Sequence, residues 1–183
     1  MSPRTPIRHC RNCGTAVAYR LPDDGDLRER AICPGCGLVH YENPLNVVGT
    51  LPHLGNRVLL CKRNIEPRRG MWTLPAGFME LGESTAEGAR RETDEEAGAQ
   101  IEMQDLFSIV NVVRVGQVHF FYRARLLSEV FDPGHETMEA RLFTEDEVPW
   151  DEIAFLTTRE TLQRYFADLK RGQGFGLHHF DVA

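Results

Sequence analysis

Residues 77–99 read GFMELGESTAEGARRETDEEAGA, the most patterned stretch of this 183-residue chain. Ser84 is followed three residues later by Glu87, which is the capping-box pattern with which a helix begins. Small residues recur after it at helical spacing and predict a narrow packing face, and Gly98 is placed to end the helix. The stretch therefore predicts a helix that begins at about Ser84, ends before Gly98 and lies close to its neighbours.

Carboxylates crowd one side of this helix. Glu92, Glu95 and Glu96 lie at i, i+3 and i+4 and therefore share one arc. Residues 80–102 hold eight acidic residues against two arginines, whereas acids and bases balance in the rest of the chain. A solvated acidic helix accounts for this charge. A divalent cation also accounts for the crowding, because Mg²⁺ takes oxygen ligands, and Glu83 and nearby backbone carbonyls would extend such a site.

Four of the five cysteines form two Cys-x-x-Cys pairs with 19 residues between them. That spacing is typical of zinc ribbons, and each pair supplies two of the four ligands of a tetrahedral site. Two disulfides are the alternative, which a reducing compartment disfavours. The fifth cysteine, Cys61, lies in an apolar stretch and is interpreted as a buried thiol. The predicted ligands of a structural Zn²⁺ are Cys10, Cys13, Cys33 and Cys36.

Two domains are predicted, a zinc ribbon at 1–40 and a larger domain at 41–183. The predicted elements of the larger domain are strands at 45–51, 57–63 and 140–143, a hairpin over 101–127 around Gly116, the helix before Gly98, and a final helix at about 154–170. This order predicts an α+β or an α/β/α layered domain with a mixed sheet. The pair His178 and His179 is interpreted as part of a tail without function.

Composition excludes several classes of protein. With 42% hydrophobic and 26% charged residues the chain is neither disordered nor fibrous. No apolar run approaches the roughly 18 residues that cross a bilayer, so no membrane partner is expected. The net charge of −6 comes without a basic face, so nucleic acid is not expected as a partner. The start of the chain lacks the apolar core of a secretory signal, which favours a cytoplasmic location.

Residues 77–99 also resemble the Nudix box, G-x5-E-x7-R-E-U-x-E-E-x-G-U, in which U is a bulky aliphatic residue. Thr93 and Ala99 depart from this pattern at the two U positions, which are packing positions. The resemblance implies a Nudix α/β/α sandwich with a mixed β-sheet, preceded by a small zinc ribbon. The positions that match in register are Gly77, Glu83, Arg91, Glu92, Glu95, Glu96 and Gly98.

The resemblance implies a catalytic site for Mg²⁺ (or Mn²⁺). Its main ligands would be Glu92 and Glu96, and Arg91 would hold the box together by pairing with a glutamate such as Glu83. The other implied contributors to this site are Glu83, Glu95 and the carbonyl of Ala76.

A further glutamate is expected from a loop after the hairpin. Glu136 matches that position best and Glu139 second, although Glu136 is also explained as a plain loop carboxylate. Either Glu96 or Glu136 would accept the proton of the attacking water. The sequence leaves this choice open.

Two ribbon-bearing groups of Nudix hydrolases compete as the nearest type. The FAD/ADP-ribose pyrophosphatases of bacteria and chloroplasts resemble this chain in AICPGCG, YENP, LLCKRNIEP, GMWTLPAGF and GHETMEARLF. NADH pyrophosphatases carry a Ser-Gln-Pro-Trp-Pro-Phe-Pro tract after the box, which is absent between Gln100 and Phe131.

The implied reaction is hydrolysis of the pyrophosphate bond of FAD to FMN and AMP, or of ADP-ribose to AMP and ribose 5-phosphate. NADH pyrophosphatase is the alternative. A ribbon that binds nucleic acid or regulates, joined to a silent Nudix domain, is a second alternative. The resemblance also implies a homodimer.

Three residues are predicted to contact a small nucleotide substrate. Arg63 precedes the box and would reach phosphates, unless it is a surface charge. Trp72 and Tyr41 offer rings on which a base or flavin would stack. The hairpin aromatics at 120–122 are further candidates, but strand alternation predicts that two of the three are core residues.

Overall fold

The computed structural model describes residues 5–182. Its contacts divide the chain into two compact units, Met1–Pro44 and Leu45–Ala183, so that the division falls slightly later than the one predicted after residue 40. None of the helices within 5–182 has the length and apolar character that a membrane span requires.

The first unit is a small three-stranded sheet with two cysteine knuckles. Its antiparallel strands lie in the order β1 (Ala18–Arg20), β2 (Arg30–Ile32) and β3 (Val39–His40). In each knuckle a glycine amide donates to the carbonyl of the first cysteine of a pair, Gly14 to Cys10 and Gly37 to Cys33, both at 2.9 Å. Both glycines have positive φ, 73° and 75°, a conformation that a side chain would strain.

The second unit is an eight-stranded sheet with two helices. The strands are β4 (Leu45–Leu54), β5 (Arg57–Arg63), β6 (Trp72–Thr73), β7 (Ala76–Phe78), β8 (Ile101–Val112), β9 (Gln117–Leu126), β10 (Thr137–Phe143) and β11 (His178–Asp181), and the helices are α1 (Thr85–Ala97) and α2 (Leu156–Arg171). The main order is β10-β5-β4-β9-β8-β11, with β6 beside β5 and β7 beside β4. Because β4 and β9 pair in parallel, as do β11 and β8, the sheet is mixed, which confirms the predicted fold class.

Strand β5 shows how the sheet separates two cores. Leu60 belongs to a buried cluster that includes Leu162 of α2. The neighbouring Cys61 belongs to another that includes Ala97 of α1. Since successive side chains point to opposite faces of a strand, the two helices lie on opposite faces of the sheet.

The ends of α1 follow the sequence pattern. The Glu87 amide donates to the Ser84 hydroxyl at 3.3 Å, and the Glu87 carboxylate accepts from the Ser84 amide at 2.8 Å. Gly98 ends the helix in the left-handed region with φ 56°. The predicted capping box and terminating glycine are therefore confirmed.

The interpretation of the C-terminal segment as a tail was wrong. His178–Asp181 forms β11, which extends the sheet beyond β8. The buried carboxylate of Asp168 accepts from His178 Nε2 at 2.8 Å and from Arg171 Nη1 at 3.1 Å. A buried carboxylate needs such partners, and the bond from His178 ties β11 to α2.

Candidate active site

Two glycines allow carboxylates of the 77–99 stretch to lie close to the backbone. A Cβ added to Gly77 in β7 would lie 2.4 Å from both carboxylate oxygens of Glu92. A Cβ added to Gly88 in α1 would lie 2.5 Å from Glu83 Oε1 and 2.8 Å from a methyl of Val48. Only glycine leaves room for this approach of side chain to backbone.

Arg91 bridges three glutamates. Its Nε and Nη2 donate to the two oxygens of Glu83 at 3.0 and 2.8 Å, and its Nη1 donates to Glu92 at 2.7 Å and Glu95 at 3.0 Å. The hydrogen bonds from Arg91 lower the pKa of Glu83 to about 2. The predicted pairing of Arg91 with Glu83 is confirmed, and it keeps Glu83 ionised.

Glu96 is a buried carboxylate without a contacting cation among the described residues. Its Oε2 accepts from the Ala76 amide at 3.1 Å, and the residue is 8% exposed. Burial raises the pKa of Glu96 to about 8, and the positive charge of Arg63 only partly opposes the rise. Burying an unpaired carboxylate is costly, so this position suits a bound cation.

Other acidic side chains add to the negative charge around Glu96. Burial, followed by the charges of Glu95 and Glu136, raises the pKa of Glu92. The charge of Glu136, from the loop before β10, raises the pKa of Glu96 as well. The structure therefore brings Glu136 within electrostatic range of the α1 carboxylates. Oxygen donors from several elements form the kind of set that Mg²⁺ or Mn²⁺ prefers.

The four paired cysteines of the first unit form a separate ligand cluster. Their sulfurs all lie within 4.8 Å of one another, the one group among residues 5–182 of three or more potential ligands this close. Cys13 Sγ lies 3.4 Å from Cys33 Sγ and 3.6 Å from Cys36 Sγ, near the roughly 3.8 Å edge of a tetrahedron with Zn–S bonds of about 2.3 Å. None forms a disulfide. The cluster therefore fits Zn²⁺.

Trp72 does not offer a stacking face, which corrects the sequence prediction. It is buried in the core, edge-on to Phe143 with ring centroids 4.9 Å apart, and the Lys62 ammonium lies 5.5 Å from its ring. Of the hairpin aromatics only Phe121 is fully buried. Tyr122, on the other face, has its hydroxyl 2.6 Å from that of Thr85. One aromatic of the three, rather than two, is therefore a fully buried core residue.

Arg63 and Tyr41 lie in different units. Arg63 Nε donates to the Pro67 carbonyl at 2.9 Å, and its guanidinium lies 5.1 Å from the centre of the Phe155 ring. Tyr41 belongs to the first unit, where its hydroxyl donates to Asp24 at 2.8 Å and the Arg30 guanidinium covers its ring. Contact of either residue with substrate stays a prediction.

Two polar contacts near the site were not predicted from the sequence. The hydroxyl of Thr93 pairs with the buried hydroxyl of Thr50. The threonine at a position where the pattern expects an aliphatic residue could have indicated this contact, because a buried hydroxyl needs a hydrogen-bond partner. Asn64 bonds to the carbonyl of His135, 71 residues away. No sequence signal marks that contact, since its acceptor is a backbone atom that any residue offers.

Family comparisons agree with this architecture. The family model described as NUDIX domain matches residues 44–166, and the one described as Nudix N-terminal matches residues 8–42. The crystal structure of a NUDIX hydrolase from Nitrosomonas europaea is 45% identical, with a TM-score of 0.91 over 96% of this chain and 99% of that chain.

Named relatives cover the chain less evenly. A protein named NAD-capped RNA hydrolase NudC from Stutzerimonas stutzeri is 27% identical over 92% of this chain and 58% of its own length. One named ADP-ribose pyrophosphatase from Methanocaldococcus jannaschii is 35% identical over 38% of this chain and 41% of its own length. A human protein named mitochondrial NAD(P)H pyrophosphatase NUDT13 is 37% identical over 40% of this chain. The chain spans only 20% of that last relative.

The NUDIX match covers most of the second unit, including α1 and the stretch at residues 77–99 in which Gly77 and Gly88 leave room for Glu92 and Glu83. The chain belongs to the Nudix family and carries that family's zinc ribbon before its Nudix domain.

Proposed function

We propose that this protein is a Mg²⁺-dependent pyrophosphatase that cleaves nucleoside diphosphates linked to a second organic group. The observation that carries the proposal is the buried carboxylate of Glu96, which lies beside Glu92 and within range of the charge of Glu136 but contacts no cation of the described chain. A site that concentrates negative charge in this way suits a divalent cation and, through it, an anionic pyrophosphate.

Glu92 and Glu96 would hold the cation, with Glu83, Glu95 and the Ala76 carbonyl around it. Mn²⁺ is the alternative to Mg²⁺. When bound, the ion neutralises charge on the pyrophosphate oxygens and makes hydroxide available near neutral pH.

The side chains of the protein supply the remaining roles. Arg91 holds Glu83, Glu92 and Glu95 in place through its hydrogen bonds. Glu96 or Glu136 accepts the proton of the attacking water, and Arg63 contributes positive charge for a substrate phosphate. The bond that breaks is a phosphoanhydride P–O bond, and one product is a nucleoside monophosphate.

FAD and ADP-ribose are the first substrates we propose. Support comes from the residue pattern around the box and from the M. jannaschii relative named for ADP-ribose. NADH is the second candidate, supported by relatives named NAD(P)H pyrophosphatase and NAD-capped RNA hydrolase. We rank NADH second because this chain lacks the Ser-Gln-Pro-Trp-Pro-Phe-Pro tract.

The test incubates the zinc-loaded full chain separately with FAD, ADP-ribose and NADH, and measures AMP. An RNA with a 5′ NAD cap is a fourth substrate, for which release of nicotinamide mononucleotide is measured. Mg²⁺ is omitted in parallel samples rather than chelated, because a chelator would also remove zinc. Glu96→Gln should abolish product, and Glu152→Gln, which changes an exposed glutamate elsewhere, should not.

Each outcome has a clear meaning. Rapid Mg²⁺-dependent AMP release from FAD or ADP-ribose supports the first proposal. Product only from NADH or capped RNA favours the second candidate. Absence of product from all four substrates contradicts the proposed activity and turns attention to the ribbon as a binding module.

A homodimer in the cytoplasm also belongs to the proposal. Sedimentation of the purified chain would measure its mass in solution, and fractionation of cells would locate it. Both stay predictions.

A further inference from the structure

We propose that Asn64 is a positioning residue that fixes the loop carrying Glu136. Asn64 directly follows β5, and Glu136 directly precedes β10, the strand paired with β5. The Asn64 amide donates to the Glu136 carbonyl at 2.7 Å, and its Nδ2 donates to the His135 carbonyl at 2.9 Å. One residue therefore holds two successive carbonyls of the loop.

The opposite side of this loop rests on the end of α1. The Asp132 amide donates to the Ala97 carbonyl at 3.0 Å. At Gly134 the backbone comes so close to α1 that an added Cβ would lie 2.2 Å from the Glu95 carbonyl oxygen. The segment from residue 132 to residue 136 is thus held between the helix that carries the other glutamates and the side chain of Asn64.

Asn64 is itself held in a defined orientation. Arg69 Nη2 donates to its Oδ1 at 3.1 Å, so oxygen and nitrogen of the carboxamide have different partners. Asn64 begins a second loop, residues 64–70, between β5 and β6. This second loop turns back through Arg68, which has φ 68° in the left-handed region that non-glycine residues seldom adopt. The Gly70 amide donates to the Arg63 carbonyl at 2.8 Å and so joins the two ends of this second loop. Such strain is found where a loop is tightly constrained by its surroundings.

This inference rests on the proposed function, in which Glu136 accepts a proton or contributes to the metal site. Groups that orient a catalytic residue change activity by about 10- to 100-fold when they are removed. We expect Asn64→Ala to lower kcat by that factor and to leave KM within about twofold, because the Asn64 carboxamide bonds to the His135 carbonyl and to Arg69.

Asn111→Ala is the matched control. Its carboxamide donates to Asp181 at 2.8 Å and contacts His179 Nε2 at 3.0 Å, on β8 and β11. The Asn111→Ala variant therefore loses the same carboxamide group and a similar number of hydrogen bonds, and it should keep wild-type kcat. An equal loss of kcat in both variants would overturn the proposal.

A double-mutant cycle separates positioning from a general structural effect. If Asn64 acts through Glu136, then Asn64→Ala should add less than about twofold to the loss caused by Glu136→Gln. A full multiplicative loss in the double variant would overturn the proposal, since Asn64 would then act independently of Glu136.

Amide hydrogen exchange tests the same idea without activity. In the full, zinc-loaded chain, Asn64→Ala should speed exchange of the Thr137 amide, which is bonded to the Gly134 carbonyl at 3.0 Å, and Asn111→Ala should not. If this occurs in a protein that cleaves no substrate, the proposed function fails while the positioning role holds. If the wild type is active but neither exchange nor kcat responds to Asn64→Ala, the positioning role fails alone.

Discussion

The hydroxyl oxygens of Thr50 in β4 and Thr93 in α1 lie 2.6 Å apart in the interior. Thr93 Oγ1 also donates to the Ala89 carbonyl at 2.8 Å, so Thr50 is the donor in the bond between the two threonines. Both residues are fully buried. A polar pair therefore occupies a contact for which the Nudix pattern expects an aliphatic side chain, and it joins the helix of the candidate site to the centre of the sheet.

This direction of donation predicts unequal effects of two substitutions. Thr93→Val leaves the buried Thr50 hydroxyl without an acceptor and should lower the free energy of unfolding by about 1–3 kcal/mol. Thr50→Val should cost less, because Thr93 keeps its bond to Ala89. The double variant should lose less than the sum of the single variants. Urea unfolding measures all three, and equal single effects would contradict the assigned direction.

The burial of Glu96 should give the protein without Mg²⁺ an unusual dependence of stability on pH. Its pKa is raised from an ordinary 4.5 to about 8, so the folded state binds this proton more tightly than the unfolded state. Its contribution is complete below pH 4.5 and is lost as pH rises to about 8, by an amount on the order of a few kcal/mol. Saturating Mg²⁺ should reduce the loss.

Urea unfolding between pH 6.5 and 8 measures the last part of this loss of stability. The lower limit avoids His119, whose burial lowers its pKa from 6.5 to about 4 and which therefore costs stability as pH falls through that range. Glu96→Gln should flatten the curve between pH 6.5 and 8. A wild-type curve that is already flat there would show that the Glu96 carboxylate is ionised at no cost.

Gly77→Ala and Gly49→Ala should give opposite phenotypes. The new Cβ at 77 meets the far end of the Glu92 side chain rather than backbone, so Glu92 should shift from its place beside Arg91, and activity should fall by about 10- to 100-fold with little change in stability. The new Cβ at 49 lies 2.5 Å from the Pro75 carbonyl oxygen and 2.4 Å from Ala76 Cβ. Backbone must shift there, so Gly49→Ala should lower stability by about 1–3 kcal/mol.

Thermal unfolding and AMP release of these two variants provide the check. Loss of stability in Gly77→Ala as large as in Gly49→Ala would mean that the Glu92 carboxylate is held rigidly by its surroundings. The proposed tolerance at residue 77 would then be wrong.

Zinc should support only the first unit. Cys33 is buried, and desolvation raises the pKa of its thiol to about 11, so a bound metal is needed to stabilise the thiolate. Cys33→Ser should release the zinc and speed amide exchange in residues 8–42, with residues 45–182 unchanged. Elemental analysis should find about one zinc per wild-type chain and the same in Cys61→Ala, which removes the fifth cysteine.

Local patterns were the predictable part of this fold. Ser84, Glu87 and Gly98 mark the ends of α1 in the sequence because capping depends on residues within one turn. Strands β4 and β5 and the turn at Gly116 were also predicted, because their patterns too depend on residues close together in the chain. The predicted final helix, from about residue 154, begins slightly later, at Leu156.

Contacts between distant segments were not predictable. β11 was missed because HHFD has no apolar alternation, and its partner β8 lies far back in the chain. A substrate role was predicted for Trp72 because the sequence around an aromatic residue before the box does not show whether its ring faces the core or a ligand. Its burial depends on Phe143 in β10, which the sequence does not place beside it.

The parallel pairing of β4 with β9 has a consequence for the order in which the protein assembles. Leu45 pairs with Gln117, and α1 lies in the connection between these two strands. The central pair of the sheet therefore closes a long loop, which is slow compared with hairpin formation. On the ribosome, α1 can form early, but β9 is not available to pair with β4 until residue 126 has emerged, and Glu136 and β10 emerge later still. Newly made chains should thus acquire their carboxylate site late.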